Sequence, residues 1–233
     1  VKDLCACCQK PPHICICDRA ERLSVKTRVL VLQHPDEQDA LLSTAPLLDA
    51  MIGVTFAIGT EWASLSEALG ERADPKAWGV LYPSSLQKPV TMTGPFMVLN
   101  PKGDPVPLRL QGIIALDGTW SQAKSIWWKN AWLLKCNRVL IQPTEPSIYG
   151  RMRREPRREW ISTLESVAEA LVGNGEDPNV RAALRRTMRT MIQRARDDYD
   201  AREAARAEEE RAAKAQRPPR VPRPPRPTPK DSA

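Results

Sequence analysis

The apolar run Gly112-Ile113-Ile114-Ala115-Leu116 passes directly into Asp117-Gly118-Thr119-Trp120, and no other stretch says as much about the fold. The run is short, apolar and partly β-branched, as a buried strand is. Trp120, Ala123, Lys124, Trp127 and Trp128 then fall at helical spacing. Asp117 therefore stands at the carboxyl end of a strand and beside the positive end of a helix. Open α/β sheets carry their chemistry at that place. The plain alternative is an N-cap or Asx-turn aspartate, contributing about 1 kcal/mol and no chemistry.

The rest of the chain alternates in the same way. Strands are expected over Thr27 to Gln33, Val54 to Ile58, Trp78 to Tyr82, Gly112 to Leu116 and Arg138 to Ile141, with Phe96 to Leu99 either a strand or irregular. Helices are expected from about Gln38 to Met51, Ser64 to Leu69 and Ser121 to Asn130. The helix from Gln38 is drawn from Leu41, Leu42, Ala45, Leu48 and Ile52, which recur at steps of three or four. Another helix starts at Ser162, where Glu165 completes a capping box, and Leu164, Val167, Ala168 and Leu171 line one face before Gly173 and Gly175. A last one runs from about Asn179 into a charged Ala-Arg-Glu segment. Alternating strands and helices make an α/β fold with a mainly parallel, right-handed open sheet.

At 233 residues and 42% hydrophobic, the chain can bury one good core and a small accessory module. The division expected is a knuckle at 1–24, a main domain at 25–205, and a charged helix end with a tail at 206–233. The net charge of +7 is unevenly placed. Lys214, Arg217, Arg220, Arg223, Arg226 and Lys230 face one acid, Asp231, in the last twenty residues. The Pro/Arg-rich tail after Gln216 reads as disordered or polyproline-like, either touching phosphates or keeping the chain soluble. Charge alone does not establish nucleic-acid binding. No apolar run reaches membrane-spanning length and no signal-peptide pattern opens the chain, so no membrane and a cytoplasmic location are expected.

Five of six cysteines crowd into the first seventeen residues. Cys5-x2-Cys8 and Cys15-x-Cys17 supply four thiolates, enough to close a tetrahedral shell around structural Zn2+ and fold a segment too small to fold alone. Cys7 is surplus and His13 is a candidate substitute ligand; reactive or redox cysteines are the main other reading, and iron–sulfur binding is a further one that nothing in the spacing demands. His34 directly follows the first core strand and can line the same rim as Asp117; a structural turn at His34-Pro35-Asp36-Glu37 explains it nearly as well. No Ser-His-acid triad, Walker loop or glycine-rich dinucleotide fingerprint is present, which disfavours hydride transfer with NAD and P-loop hydrolysis. Between Glu145 and Trp160 the periodicity stops, and Arg151, Arg153, Arg154, Arg157 and Arg158 meet only Glu155 and Glu159. This is either a solvated charge run or a substrate loop offering guanidinium forks, with Trp160 available to stack on a base.

Taken together these pieces resemble the DTW-domain family over roughly residues 5 to 172. The resemblance rests on Asp117-Gly118-Thr119-Trp120, the four cysteines, His34-Pro35-Asp36-Glu37, Tyr82-Pro83-Ser84, and Arg154-Glu155-Pro156 leading to Ser162-Thr163-Leu164-Glu165. One departure is Ser43-Thr44, where the family usually has Asn-Thr. The resemblance implies a SPOUT-like sheet with a C-terminal trefoil knot and a tRNA-uridine aminocarboxypropyltransferase using S-adenosyl-L-methionine. Such an enzyme moves the 3-amino-3-carboxypropyl group to N3 of a tRNA uridine and releases methylthioadenosine. It further implies Asp117 as the catalytic residue, a general base or a positioning group. Ser84, Leu116, Thr119, Arg154, Ser162 and Thr163 would contact the cofactor, with Arg154 the first choice to clamp its carboxylate. His34, Arg151, Arg157, Arg158 and Trp160 would face the RNA. A monomer is expected. The rival readings are a SPOUT-like rRNA or tRNA methyltransferase and a non-catalytic, zinc-stabilised RNA-binding module.

Overall fold

The computed structural model describes residues 3–38, 40–81, 91–150, 152 and 161–215, with backbone alone at 120 and 215. The chain divides into two units, Val1–Arg196 and Asp197–Ala233. Six strands, β1 (Arg28–Gln33), β2 (Thr55–Ile58), β3 (Trp78–Leu81), β4 (Phe96–Leu99), β5 (Gly112–Asp117) and β6 (Asn137–Ile141), form one sheet in the order β2-β1-β5-β3-β6-β4. Every neighbouring pair is parallel except β4 with β6. The helices are α1 (Ala45–Ile52), α2 (Leu65–Leu69), α3 (Trp120–Lys129), α4 (Thr163–Gly173) and α5 (Pro178–Ala215).

Period-two alternation along the strands builds two apolar layers. Val29, Val31, Ile113, Ala115 and Val139 face one core, with Leu47, Leu48 and Met51 of α1, Leu164, Val167 and Leu171 of α4, and Leu184, Met188 and Met191 of α5. Leu30, Leu32, Val80 and Ile114 face the other, with Leu65, Leu69, Ile126, Trp127 and Leu133. Both faces are covered, as crossover connections between parallel strands require. Cys8 and Ile16 of the cysteine segment sit in the first core, so that segment packs into the same unit.

Most expected elements appear within a residue or two, and Phe96–Leu99 proves to be a strand. The helix expected from Gln38 to Met51 is half that length. A 3-10 turn covers Pro35–Glu37, and α1 begins only at Ala45. Pro46 is the reason. It lacks an N–H and its ring would strike the carbonyl of Leu42, so a helix can hold it only in the first turn. Leu41, first on the expected apolar face, is exposed. Among the described residues no helix is long and apolar enough to cross a membrane. In the second unit Asp198 and Arg202 form an i,i+4 pair at 2.9 Å.

The start of α4 carries the capping box read from the sequence. Glu165, fully buried, accepts from the Ser162 amide (3.0 Å) and hydroxyl (2.8 Å), the Ser147 hydroxyl (3.0 Å), the Ile148 amide (2.9 Å) and Arg185 Nη1 (3.1 Å). Glu165→Ala would leave the buried Arg185 guanidinium without its inner partner. A loss of about 3–5 kcal/mol in denaturant unfolding is expected. A loss below about 1 kcal/mol would show that the pairing is dispensable.

Candidate active site

Strands β1 and β5 are parallel and end together, with Gln33 opposite Asp117. The His34 amide donates to the Asp117 carbonyl at 2.9 Å, which fixes the two strand ends against each other. Asp117 is buried, 6% exposed as a residue. Gln33 Nε2 donates to its Oδ2 at 2.8 Å and Thr163 Oγ1 to its Oδ1 at 2.6 Å. Thr163 is the first residue of α4, so the positive end of that helix faces a carboxylate. Thr44 stands immediately before α1, and its Oγ1 accepts from the Leu164 amide at 3.3 Å, which ties the two helix starts together.

The N-cap alternative for Asp117 is resolved by its neighbour. Thr119 caps α3: its Oγ1 accepts from the Gln122 amide (3.4 Å), and its own amide donates to Gln122 Oε1 (2.7 Å). Asp117 is left to hold side chains from β1 and α4. Gly118 is the close approach in this turn, because a Cβ there would lie 2.9 Å from Gln122 Cβ and 3.4 Å from His34 Cβ. Gln122 Nε2 donates to Asp36 Oδ2 at 3.2 Å and links α3 to the His34-Pro35 turn. His34 is half-buried at this rim, its Nδ1 accepting from the Asp36 amide at 3.3 Å.

Leu116 is half-buried and Thr119 exposed. Ser162 is buried, its hydroxyl taken up with Glu165 and with Met188 Sδ at 3.4 Å. Ser84, Arg151, Arg154, Arg157, Arg158 and Trp160 lie outside the described residues, as do Tyr82 and Pro83.

The structure adds two residues that sequence reasoning passes over. Gln33 is a lone polar group closing an apolar strand, a visible signal. Lys10 gives none, because a lysine in a cysteine-rich loop reads as surface. It is 1% exposed, and its ammonium donates to the Ala40 carbonyl at 3.5 Å. Burial pushes that ammonium down to about 8, opposed by negative charge at Cys8 and at Asp117.

The sulfurs of Cys5, Cys8, Cys15 and Cys17 all lie within 4.8 Å of one another, with Cys5–Cys17 at 3.5 Å and Cys8–Cys15 at 3.6 Å. Ligands at about 2.3 Å around a tetrahedral ion stand about 3.8 Å apart, so this set can hold a metal such as zinc. Backbone N–H groups of Cys8 and Cys7, with the Cys17 thiol, pull the Cys5 thiol down to about 6 and favour thiolate. His13 is not in the group, and Cys7 is exposed. Arg194 of α5 grips the segment, donating to both carboxylate oxygens of Asp18 (2.8 and 2.7 Å) and to the Cys15 carbonyl. Its hydrogen bonds hold the Asp18 carboxyl down to about 2.

A family model described as "DTW domain" matches residues 2–196. The chain is 29% identical over 178 residues to "tRNA-uridine aminocarboxypropyltransferase 2" of Macaca fascicularis, covering 72% of this chain and 55% of the relative. To the protein of that name in Drosophila melanogaster it is 26% identical, covering 82% and 74%. To "tRNA-uridine aminocarboxypropyltransferase A" of Arabidopsis thaliana it is 28% identical, covering 73% and 72%. The chain thus spans about half the length of the Macaca relative and of its mouse counterpart. No solved structure gives a significant match.

Proposed function

The chain belongs to the DTW domain family, and we propose that it transfers the 3-amino-3-carboxypropyl group of S-adenosyl-L-methionine to N3 of a uridine in tRNA. It does so in the cytoplasm, as a monomer. The observation that carries this reading is Asp117. The carboxylate of the Asp-Gly-Thr-Trp stretch is held at the carboxyl edge of a parallel sheet by Gln33 and Thr163, and the named relatives carry out uridine aminocarboxypropyl transfer.

When bound, S-adenosyl-L-methionine supplies an electrophilic γ-carbon on a sulfonium, with methylthioadenosine as leaving group. Uridine N3 is a weak nucleophile while protonated. Its lone pair would form the new N–C bond as the C–S bond breaks with sulfur keeping the electron pair, and the N3 proton would pass to the Asp117 carboxylate. Each Asp117 oxygen accepts one fixed donor and keeps a lone pair, so the carboxylate can hold the N3–H in a single orientation. Alignment of this kind supplies several kcal/mol of the barrier. Ser84, Leu116, Thr119, Arg154, Ser162 and Thr163 serve the donor. His34, Arg151, Arg157, Arg158 and Trp160 serve the RNA, whose uridine must be open or flipped out to be reached. The four cysteines hold structural Zn2+. A SPOUT-like knot belongs to the same reading, supported by a chain that leaves edge strand β4, returns to the centre as β5 and passes outward again to β6.

The test uses unmodified tRNA and S-adenosyl-L-methionine labelled separately in its aminocarboxypropyl arm and its methyl group. Arm label is expected in the tRNA, with one methylthioadenosine released per transfer. Methyl label in the RNA would make the protein a methyltransferase, and RNA binding without either label would make it a non-catalytic module.

A further inference from the structure

Lysine ammonium groups ordinarily stay in water, and burying one without full pairing is costly. Lys10 is nevertheless buried, between Cys8 and Cys15. Its ammonium has three donors. Among the described residues its hydrogen-bond partner is the Ala40 carbonyl, 3.5 Å away. That carbonyl also accepts from the Ser43 amide at 2.9 Å. Ser43 is itself buried, and its Oγ has no hydrogen-bond partner among the described residues. The Lys10 ammonium, with donors to spare, and the backbone amide of Ser43 thus share one carbonyl, and Ser43 carries an unpartnered hydroxyl; both residues are shut away from solvent.

This pair adjoins the Asp117 site. Ser43 precedes Thr44, which is bonded to Leu164, and Leu164 follows Thr163, which holds Asp117 Oδ1. Buried polar groups are almost always paired, so two incompletely paired ones beside a candidate active site point to a ligand that completes them.

We infer that Lys10 and Ser43 seat the carboxylate of the aminocarboxypropyl donor, the ammonium supplying the charge and the hydroxyl a second donor. This rests on the transfer reaction proposed above. A carboxylate only accepts hydrogen bonds and carries a full negative charge, which complements an ammonium and a hydroxyl. It is also the donor's one anionic group. Holding the arm by its carboxylate end restricts which carbon can stand beside Asp117, the discrimination that separates arm transfer from methyl transfer. The seat also gives the cysteine segment a direct part in binding, because it carries Lys10 into the site.

The experiment is calorimetric titration of the full, zinc-loaded chain with S-adenosyl-L-methionine and with methylthioadenosine, which lacks the carboxylate arm. Lys10→Met is expected to raise the Kd for S-adenosyl-L-methionine at least tenfold and to leave that for methylthioadenosine within twofold, at unchanged zinc content. Ser43→Ala, a smaller change, is expected to weaken S-adenosyl-L-methionine alone by about threefold or more; if Lys10→Met does not fold, Ser43→Ala decides. Equal weakening of both ligands, unchanged affinity for S-adenosyl-L-methionine, or loss of zinc from Lys10→Met would overturn the seat; the last would make Lys10 a counter-charge for the thiolates. A wild-type chain that binds neither ligand would overturn the transfer reaction itself.

Discussion

Asp117→Asn should lower turnover by about 10²–10⁴-fold, the range for losing a proton-handling side chain, while affinity for S-adenosyl-L-methionine stays within about threefold. The geometry makes this substitution informative. Gln33 Nε2 can go on donating to the amide oxygen in place of Oδ2, and the Thr163 hydroxyl can turn to accept from the amide nitrogen in place of Oδ1. Both partners remain satisfied, so the fold is kept and the assay reads the lost carboxylate alone. Asp117→Ala differs, because it strands two donors in a buried place and adds a stability cost of about 1–3 kcal/mol. Single-turnover kinetics on the Asn variant, with its melting temperature as control, provide the check. Wild-type turnover would remove Asp117 from the chemistry.

The second large effect concerns the metal. Cys5→Ser should take bound zinc from about one ion per chain to none, measured by elemental analysis. The cysteine segment has little else to hold it. Ile14 and Ile16 are its fully buried aliphatic side chains, and Arg194 with Asp18 is a half-exposed clamp. Releasing the segment exposes both isoleucines, a loss on the order of 5 kcal/mol. A fall in melting temperature of about 10–20 °C follows for a domain of this size. Stripping zinc from the wild type with a chelator should reproduce the change. An unaltered zinc content, or a shift below about 2 °C, would refute the metal reading.

How much of this is legible beforehand depends on the range of the interaction. The strands around Val29–Leu32 and Ile113–Leu116 announce themselves through short apolar runs, and Ser162 with Glu165 announces the start of α4. The four cysteines whose sulfurs gather within 4.8 Å of one another are picked out by their spacing alone. The first long helix misleads, since its apolar spacing extends across Pro46; the proline rule is equally local and outranks periodicity. Asp117 is recognisable as a strand-end carboxylate. Its partners are not, because Gln33 and Thr163 lie 84 and 46 residues away.

The order and character of the residues thus settled which segments become strands, where α4 is capped, which thiolates can share a metal, and which carboxylate stands at the sheet edge. The path of the chain settled the rest: β5 beside β1, Gln33 and Thr163 on Asp117, and Lys10 buried next to Ser43. The physical reason is that a side chain's chemistry expresses a preference for burial or for hydrogen bonding but names no partner. Partners are chosen when strands pair out of sequential order and bring distant residues within about 3 Å, the reach of a hydrogen bond.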